Sequence, residues 1–348
     1  MIEILNKIFS RSKNSNSLES VFEKLKRDLN IEKIFISVEG FSKDSEIRYV
    51  GGCIRKILNN EEVDDIDLAV NLNPTEISEV LKKNNIKFYS TGIEHGTITA
   101  IIDKNKFEIT SLRKDILTDG RHAKVKFSND WKEDASRRDF TINSIYANIN
   151  GNLFDPFNGK KDIENGTVRF IGDPERRIQE DYLRILRYIR FFLNYSKNKH
   201  DPEIVRIIKK NLDGISKISS ERLLDEFKKL VSSKGFLKLN DDLVSKEIIS
   251  LIFPQFKNIS VFKNLNKYAL EKINKLDFIF IISLLVLDDS DNSDYFFYKF
   301  NISKKGQKRI SFLKEFYTKI NIKTFTTNNL NKIFYFHGKQ SLFDLLFF

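Results

Sequence analysis

The feature that most limits what this chain can become lies between residues 47 and 70. Ile47-Arg-Tyr-Val50 has strand composition, Gly51-Gly52 marks a tight turn, Cys53–Asn60 has the pattern of a short helix, and Ile66–Val70 reads as a second strand. The acidic residues Asp65 and Asp67 flank Ile66 where that strand opens. Residues i and i+2 of a strand share a face, so the two carboxylates project together while Ile66 turns into the core. Two carboxylates on one face repel unless a cation lies between them. Mg²⁺ suits such a place, held by one or two carboxylates plus substrate phosphates. Glycines at a strand-to-helix turn let backbone N–H groups approach a phosphate, and the helix N-terminus favours its charge. Arg55, one turn into the helix, adds a charged donor. A lone D-x-D or Gly-Gly says little, but all these parts in this order point to metal-assisted nucleotidyl transfer.

The rest of the chain sets the frame. At 348 residues it has length for two or three structural units. A Ser/Asn/Lys-rich stretch, Ser10–Ser17, precedes an amphipathic helix over Leu18–Leu29. Ile98–Ile102 and Phe107–Leu112 form a hairpin around Asp103–Lys106, so the first part of the chain is an α/β sheet region. Beyond about residue 172 the pattern turns helical, with helical periodicity throughout Arg177–Phe192 and again over Ser220–Val231. From about residue 235 onward Phe, Leu, Lys and Asn recur at helical spacing without recognisable chemistry, and there is no internal repeat.

Several function classes fall away on composition. The single cysteine, Cys53, excludes a disulfide framework and a cysteine-cluster zinc site, and four scattered histidines leave little for a His-based metal site. The longest apolar run, Phe278–Leu287, is far short of the roughly 18–20 residues of a membrane span and reads as a buried helix. The first residues lack a basic n-region and a small-residue cleavage site, so a cytoplasmic protein with no membrane partner is expected. The formal charge of +11 fits a polyanionic partner, but AT-rich coding, which crowds a chain with Lys, Asn, Ile and Phe, produces the same excess. The 12% aromatic content is expected in the core rather than on a base-stacking surface.

The blocks together resemble a known family. Gly51-Gly-Cys-Ile-Arg55 followed by Asp65-Ile-Asp-Leu-Ala69 is similar to the first motif of the class II tRNA nucleotidyltransferases, the CCA-adding enzymes, which bacterial poly(A) polymerases share within the polymerase-β superfamily. Five further blocks match in order: Gly92–Thr97, Phe107–Arg113, Asp119–Ala123, Arg137–Asn143 and Glu180–Arg187. The similarity covers about residues 47–230.

The resemblance implies an α+β protein: a polymerase-β-like head with a mixed sheet and helices (46–171), then an all-helical neck that recognises the base (172–235) and a helical body and tail that bind tRNA (236–348), with 1–45 as an extension and leading helix. It implies addition of C, C and A to tRNA 3′ ends from CTP and ATP, with two Mg²⁺ held by Asp65 and Asp67 as the catalytic carboxylates. Gly51, Gly52 and Arg55 then contact the triphosphate, Arg138 the nucleotide, and Asp139 and Asn143 the ribose hydroxyls. Glu108, on a neighbouring strand, is a possible third acidic group or simply a structural partner beside Arg113. One position departs: Lys56 stands where the family often has Asp, so no role carries over there. Asp119–Ala123 resembles the flexible loop used in switching from C to A, which favours full CCA addition over CC-only addition, and an A-adding-only enzyme or a poly(A) polymerase is the alternative within the same superfamily. A catalytically inactive RNA-binding protein is the alternative of another class, and the intact Asp65/Asp67 pair argues against it. No protein partner is inferred.

The sharpest expectation concerns the base. Asp181 and Arg184 stand at i and i+3 of the expected helix, with Arg187 and Arg190 continuing the spacing. Cytosine and adenine both offer an amine donor beside a ring-nitrogen acceptor. A carboxylate accepts from the first and a guanidinium donates to the second, whereas guanine and uracil place acceptor against acceptor. In the family the residues matching Asp181 and Arg184 play this templating part, with Arg187 and Arg190 as further nucleotide contacts. Finally, His200-Asp201 suggests an HD metal site, but Asp201-Pro202-Glu203 reads better as a helix N-cap with proline at the first position.

Overall fold

The computed structural model describes residues 18–118, 123–264, 276–288, 290–317 and 325–348. Ser10–Ser17 and most of the Asp119–Ala123 block lie outside the described residues. The chain divides into two compact units. One runs to Asp181 and takes back Tyr195–Asn198, and the other comprises Tyr182–Asn194 and Lys199–Phe348. The dividing point falls within the segment expected to form the neck.

In the first unit, helices α1 (Leu18–Leu29) and α2 (Glu32–Glu39) lead into strand β1 (Ile47–Val50). Val21, Phe22, Leu25 and Leu29 form the buried face of α1, and Phe22 and Phe35 pack on the Tyr49 ring with centroids 5.2 and 4.9 Å away. Next come α3 (Gly52–Leu58), β2 (Asp67–Val70) and α4 (Pro74–Lys83), the last started by a reciprocal Asn73–Glu76 capping box and Pro74. Strands β3 (Lys87–Gly92), β4 (Thr97–Ile102), β5 (Asn105–Ser111), β6 (Arg113–Thr118) and β7 (Ala123–Phe127) follow, then α5 (Trp131–Ser136), β8 (Tyr146–Ala147), β9 (Leu153–Phe154), α6 (Gly159–Asn165) and α7 (Pro174–Glu180).

Among the described residues one mixed sheet has the order β3-β4-β5-β2-β1-β8-β9, and β6 and β7 pair separately. The β4–β5 hairpin turns at Asp103, whose φ of 53° is the left-handed conformation that Asp and Asn tolerate. Strand β2 is central, antiparallel to β1 and parallel to β5, with Asp67 opposite Glu108. Val50, Ala69, Leu112, Ala135 and Tyr146 make a buried cluster on which Trp131 and Phe154 pack.

The second unit is helical: α8 (Leu183–Tyr195, its last residue counted with the first unit), α9 (Pro202–Lys210), α10 (Ser220–Val231), α11 (Leu243–Ile252), α12 (Phe278–Val286), α13 (Asn292–Phe300), α14 (Lys304–Tyr317) and α15 (Thr327–Phe347, kinked at Gly338). Its core is aromatic: Phe253 stacks on Phe256 at 4.7 Å, and Phe227, Phe296 and Phe300 pack around them. Many aromatics of this unit therefore serve packing, as expected, while others, among them Tyr298, Tyr335 and Phe336, are exposed. Helix α12 is the expected buried apolar helix, and among the described residues no helix is long and apolar enough to cross a membrane.

The structure keeps some of the expected bounds and shifts others. The helices over Leu18–Leu29 and Ser220–Val231 and the first strand have the expected bounds. Strand β2 begins at Asp67, so Asp65 and Ile66 lie in the segment leading into it, although exposure still alternates as expected, with Asp65 exposed, Ile66 buried and Asp67 partly buried. The helix over Arg177–Phe192 is not continuous. It breaks at Asp181, which is extended at φ −155°, ψ 103°. Each half keeps its own apolar face, Ile178 in α7 and Leu183, Ile185, Leu186 and Ile189 in α8, so the hydrophobic period runs through the break unmarked. Aspartate favours helix ends over interiors. The i, i+3 argument that put Asp181 and Arg184 side by side on one helix does not hold.

Candidate active site

Strand β1 delivers the chain to Gly51, whose φ of 71° and ψ of −118° are open to glycine and strained for any side chain. Its N–H donates to the Ile145 carbonyl at 3.2 Å, and its carbonyl accepts from the Arg55 N–H at 3.0 Å, which starts α3. A Cβ at Gly51 would lie 3.3 Å from Nη1 of Arg138 and 3.6 Å from the Asn143 carbonyl. The glycine turn and the Arg137–Asn143 block, some ninety positions apart in the chain, are thus in direct contact.

Side chains extend that contact into a network. Arg55 is buried and donates through Nη1 to Asn143 Oδ1, while its guanidinium lies over the Tyr195 ring at 5.0 Å. Tyr195 in turn donates its hydroxyl to Glu61 at 3.1 Å. Asn143 Nδ2 donates to Asp139 Oδ1 at 3.0 Å, which also accepts the Phe140 N–H at 2.9 Å. Arg138 Nη1 points to the Asn143 carbonyl at 3.5 Å. Five of the residues chosen from sequence, Gly51, Arg55, Arg138, Asp139 and Asn143, are therefore joined, with Gly52 at the same turn.

The carboxylates stand at the end of β2. Burial, Asp65 and Glu108 together push the Asp67 carboxyl up to about 6, against the pull of Arg138. Burial and the neighbouring Asp64 also raise Asp65, while Lys56, ion-paired with Asp64, opposes the rise. The lysine that departs from the family pattern thus answers a neighbouring aspartate. Asp65, Asp67, Glu108 and Arg138 share one electrostatic neighbourhood. Among the described residues no three His, Cys, Asp or Glu side chains form a group that holds a metal ion unaided. Two neighbouring carboxylates, one of which raises the proton affinity of the other, open toward solvent at Asp65, nonetheless suit Mg²⁺, which completes its shell with water and substrate oxygens.

Residues not chosen from sequence complete the first unit's site. Asp134 and Tyr146 hold Arg138: Tyr146 donates to Asp134 at 2.6 Å, and Arg138 Nε donates to the Tyr146 hydroxyl at 3.1 Å. Arg177 donates to the Arg138 carbonyl at 2.6 Å and to that of Arg137. Asp134 was detectable in principle, since it stands three and four positions before Arg137 and Arg138. Nothing local announces Tyr146 or Tyr195.

In the second unit Arg184, Arg187 and Arg190 are the partly exposed positions of an otherwise buried stretch of α8. Arg190 Nε donates to Oε1 of the buried Glu226 at 2.5 Å, Arg187 is 3.7 Å from its Oε2, and Arg190 lies over the Phe191 ring at 4.2 Å. The expected N-cap at Asp201 is present, its carboxylate accepting from Glu203 N–H at 2.9 Å with Pro202 following. His200 stacks on Phe192 at 3.4 Å and bonds Tyr188, Asp242 and Ser245, which accounts for it as a packing residue.

Two family models match: the poly A polymerase head domain over residues 47–169, and the probable RNA and SrmB-binding site of polymerase A over 199–259. The CCA-adding enzyme of Staphylococcus saprophyticus is 31% identical over 303 residues, covering 86% of this chain and 72% of that one. The chain belongs to the CCA-adding enzyme family. The human mitochondrial CCA tRNA nucleotidyltransferase 1 is 42% identical over 228 residues, covering 64% of this chain and 51% of the relative. The chain thus spans about half the length of that family member. The solved CCA-adding enzyme of Bacillus stearothermophilus in complex with CTP has a TM-score of 0.68 at 20% identity, covering 92% of this chain and 76% of that one. A tRNA nucleotidyltransferase complexed with a primer tRNA and an ATP analogue gives 0.66 at 22%, covering 89% and 93%. At these identities the likeness is one of fold: the family's mixed-sheet head followed by helices.

Proposed function

We propose that this chain adds C, C and A to tRNA 3′ ends without a nucleic-acid template, using CTP and ATP and releasing pyrophosphate. The observation that carries the reading is the convergence of the Gly51–Gly52 turn, Arg55 and the Arg138–Asn143 block beside the Asp65/Asp67 pair. Backbone N–H groups at the turn, with Arg55 and Arg138, receive the triphosphate. Asp139 and Asn143 bond ribose hydroxyls, which favours NTP over dNTP. Asp65 and Asp67 hold divalent metal, two Mg²⁺ in this reading, with Glu108 as a third acidic group beside them. Such ions, when bound, lower the barrier by stabilising the charge that develops at the α-phosphate and on the departing pyrophosphate. Arg138, whose charge is felt at Asp67, keeps a positive charge beside the triphosphate.

Base selection rests on complementarity of groups. Asp181 accepts from the amine of C or A, and Arg184 donates to the adjoining ring nitrogen. Arg187 and Arg190 belong to the same row and serve as supporting contacts. The helical remainder, 236–348, carries tRNA binding in this proposal, and the surplus of basic residues supports it.

The deciding experiment supplies tRNA lacking its 3′ end with CTP, ATP or both, and reads products at single-nucleotide resolution. Addition of C, C and then A is the expected result. A addition alone, or a long A tail, would replace this reading with an A-adding enzyme or a poly(A) polymerase.

A further inference from the structure

Arg138 is held by Asp134 and Tyr146 on one edge, and on the other its Nη1 reaches the Asn143 carbonyl at 3.5 Å. Its Nε and Nη2 donate to Asp134 Oδ2 at 3.4 and 3.3 Å, and Nε also to the Tyr146 hydroxyl at 3.1 Å. Its Nη1 lies over the Gly51 turn, where a Cβ would come within 3.3 Å. Asp134 is 1% exposed and takes up donors from every side: Arg137 Nε at 2.8 Å, the Tyr146 hydroxyl at 2.6 Å and the Arg113 N–H at 3.3 Å. Burial alone would raise its carboxyl, but Arg138, Arg137 and Tyr146 hold it down at about 2.

We infer that Asp134 is a positioning residue of the nucleotide site, which turns Arg138 so that its Nη1 edge faces the Gly51–Gly52 turn and the triphosphate. The inference rests on the function proposed above and adds a residue to it. A free arginine loses rotamer freedom when it clasps a phosphate, and a carboxylate that fixes it beforehand removes that loss. Charge supports the same role. One carboxylate between two guanidiniums leaves a positive charge beside the turn, so Asp134 steers Arg138 without neutralising the site. Tyr146 bridges the pair, donating to Asp134 while accepting from Arg138, and so fixes the angle of the guanidinium.

The test is steady-state kinetics of Asp134→Asn, Tyr146→Phe, Arg138→Ala and the Asp134→Asn/Arg138→Ala double variant, with Tm measured for each. Asp134→Asn should raise KM for CTP and ATP by one common factor, roughly tenfold, with KM for tRNA unmoved. The double variant should be no worse than Arg138→Ala, because the carboxylate acts through that arginine. Tyr146→Phe should shift the nucleotide KM in the same direction by less, and it carries the test if Asp134→Asn does not fold. An active parent with variants that lose Tm but keep the parent's nucleotide KM, or with fully additive losses in the double variant, overturns the positioning role alone. A parent that incorporates no nucleotide overturns the functional reading and this inference with it.

Discussion

Two sets of arginines were singled out for the nucleotide, and they are supported in opposite ways. Arg55 and Arg138, in the first unit, are tied to the turn and to Asn143, so recognition blocks brace one another. Arg187 and Arg190, on α8, are gathered by Glu226, a carboxylate of α10 with no place in any of the quoted motifs. In the first arrangement the parts of the candidate site are also its scaffold. The second is a presented row whose scaffold lies on another helix. Substitutions should therefore separate chemistry from stability in different proportions in the two regions.

The largest effect belongs to the first region. Asp65→Ala or Asp67→Ala should lower kcat by at least about three decades, or about 4 kcal/mol of transition-state stabilisation, while Tm stays near the parent's. Near-normal single-turnover rates in a folded variant would break the assignment of the metals to this pair. In the second region the order should invert. Glu226→Ala strips the partner from a guanidinium only partly open to solvent, and should cost about 3 kcal/mol in urea unfolding before any effect on chemistry is counted. An unchanged midpoint there would mean that α8 holds its arginines without help.

Acid unfolding sharpens the contrast further. Asp134 sits at about 2 in the folded protein against an ordinary 3.8, so it adds stability above pH 3.8 that is lost as pH falls toward 2. That difference corresponds to about 2 kcal/mol at neutral pH. Asp134→Asn should flatten the parent's decline in stability between those values, read by circular dichroism; an identical acid limb would contradict the ion pairing.

The smallest expected effect tests base choice. Asp181→Ala should relax the CTP-over-UTP and ATP-over-GTP ratios of kcat/KM by about a decade, since it removes the acceptor that opposes a carbonyl. Equal loss toward all four nucleotides would make Asp181 a structural residue of the break between α7 and α8.

How legible each region was follows from the range of its contacts. Strand β1, the glycine turn, the β4–β5 hairpin and the helices over Leu18–Leu29 and Ser220–Val231 could be read because their signals are local: a left-handed turn needs glycine or Asp, and an amphipathic face repeats every few residues. The Gly51 turn and the Asp65/Asp67 spacing could be singled out as candidates for the same reason, whereas the Arg137–Asn143 block was reached only through its resemblance to a family. The break at Asp181 was not, because two helices that each bury their own face keep the apolar period of one. Asp134 was half legible, by its spacing to Arg137 and Arg138 alone.

By itself, then, the sequence determined which residue types stand at which turn: glycines where backbone approaches backbone, paired acids at the mouth of a strand, and arginines in a row. Those are properties of a few consecutive residues and need no partner to be recognised. Only the tertiary structure decided which groups answer one another. Asn143 receives Arg55 across 88 positions, Tyr195 hands its hydroxyl to Glu61 across 134, and Glu226 takes Arg190 across 36. Hydrogen bonds and charge pairs act over a few ångströms whatever the separation along the chain. Their partners are therefore fixed by how the sheet and the helices pack, which no short window of sequence contains.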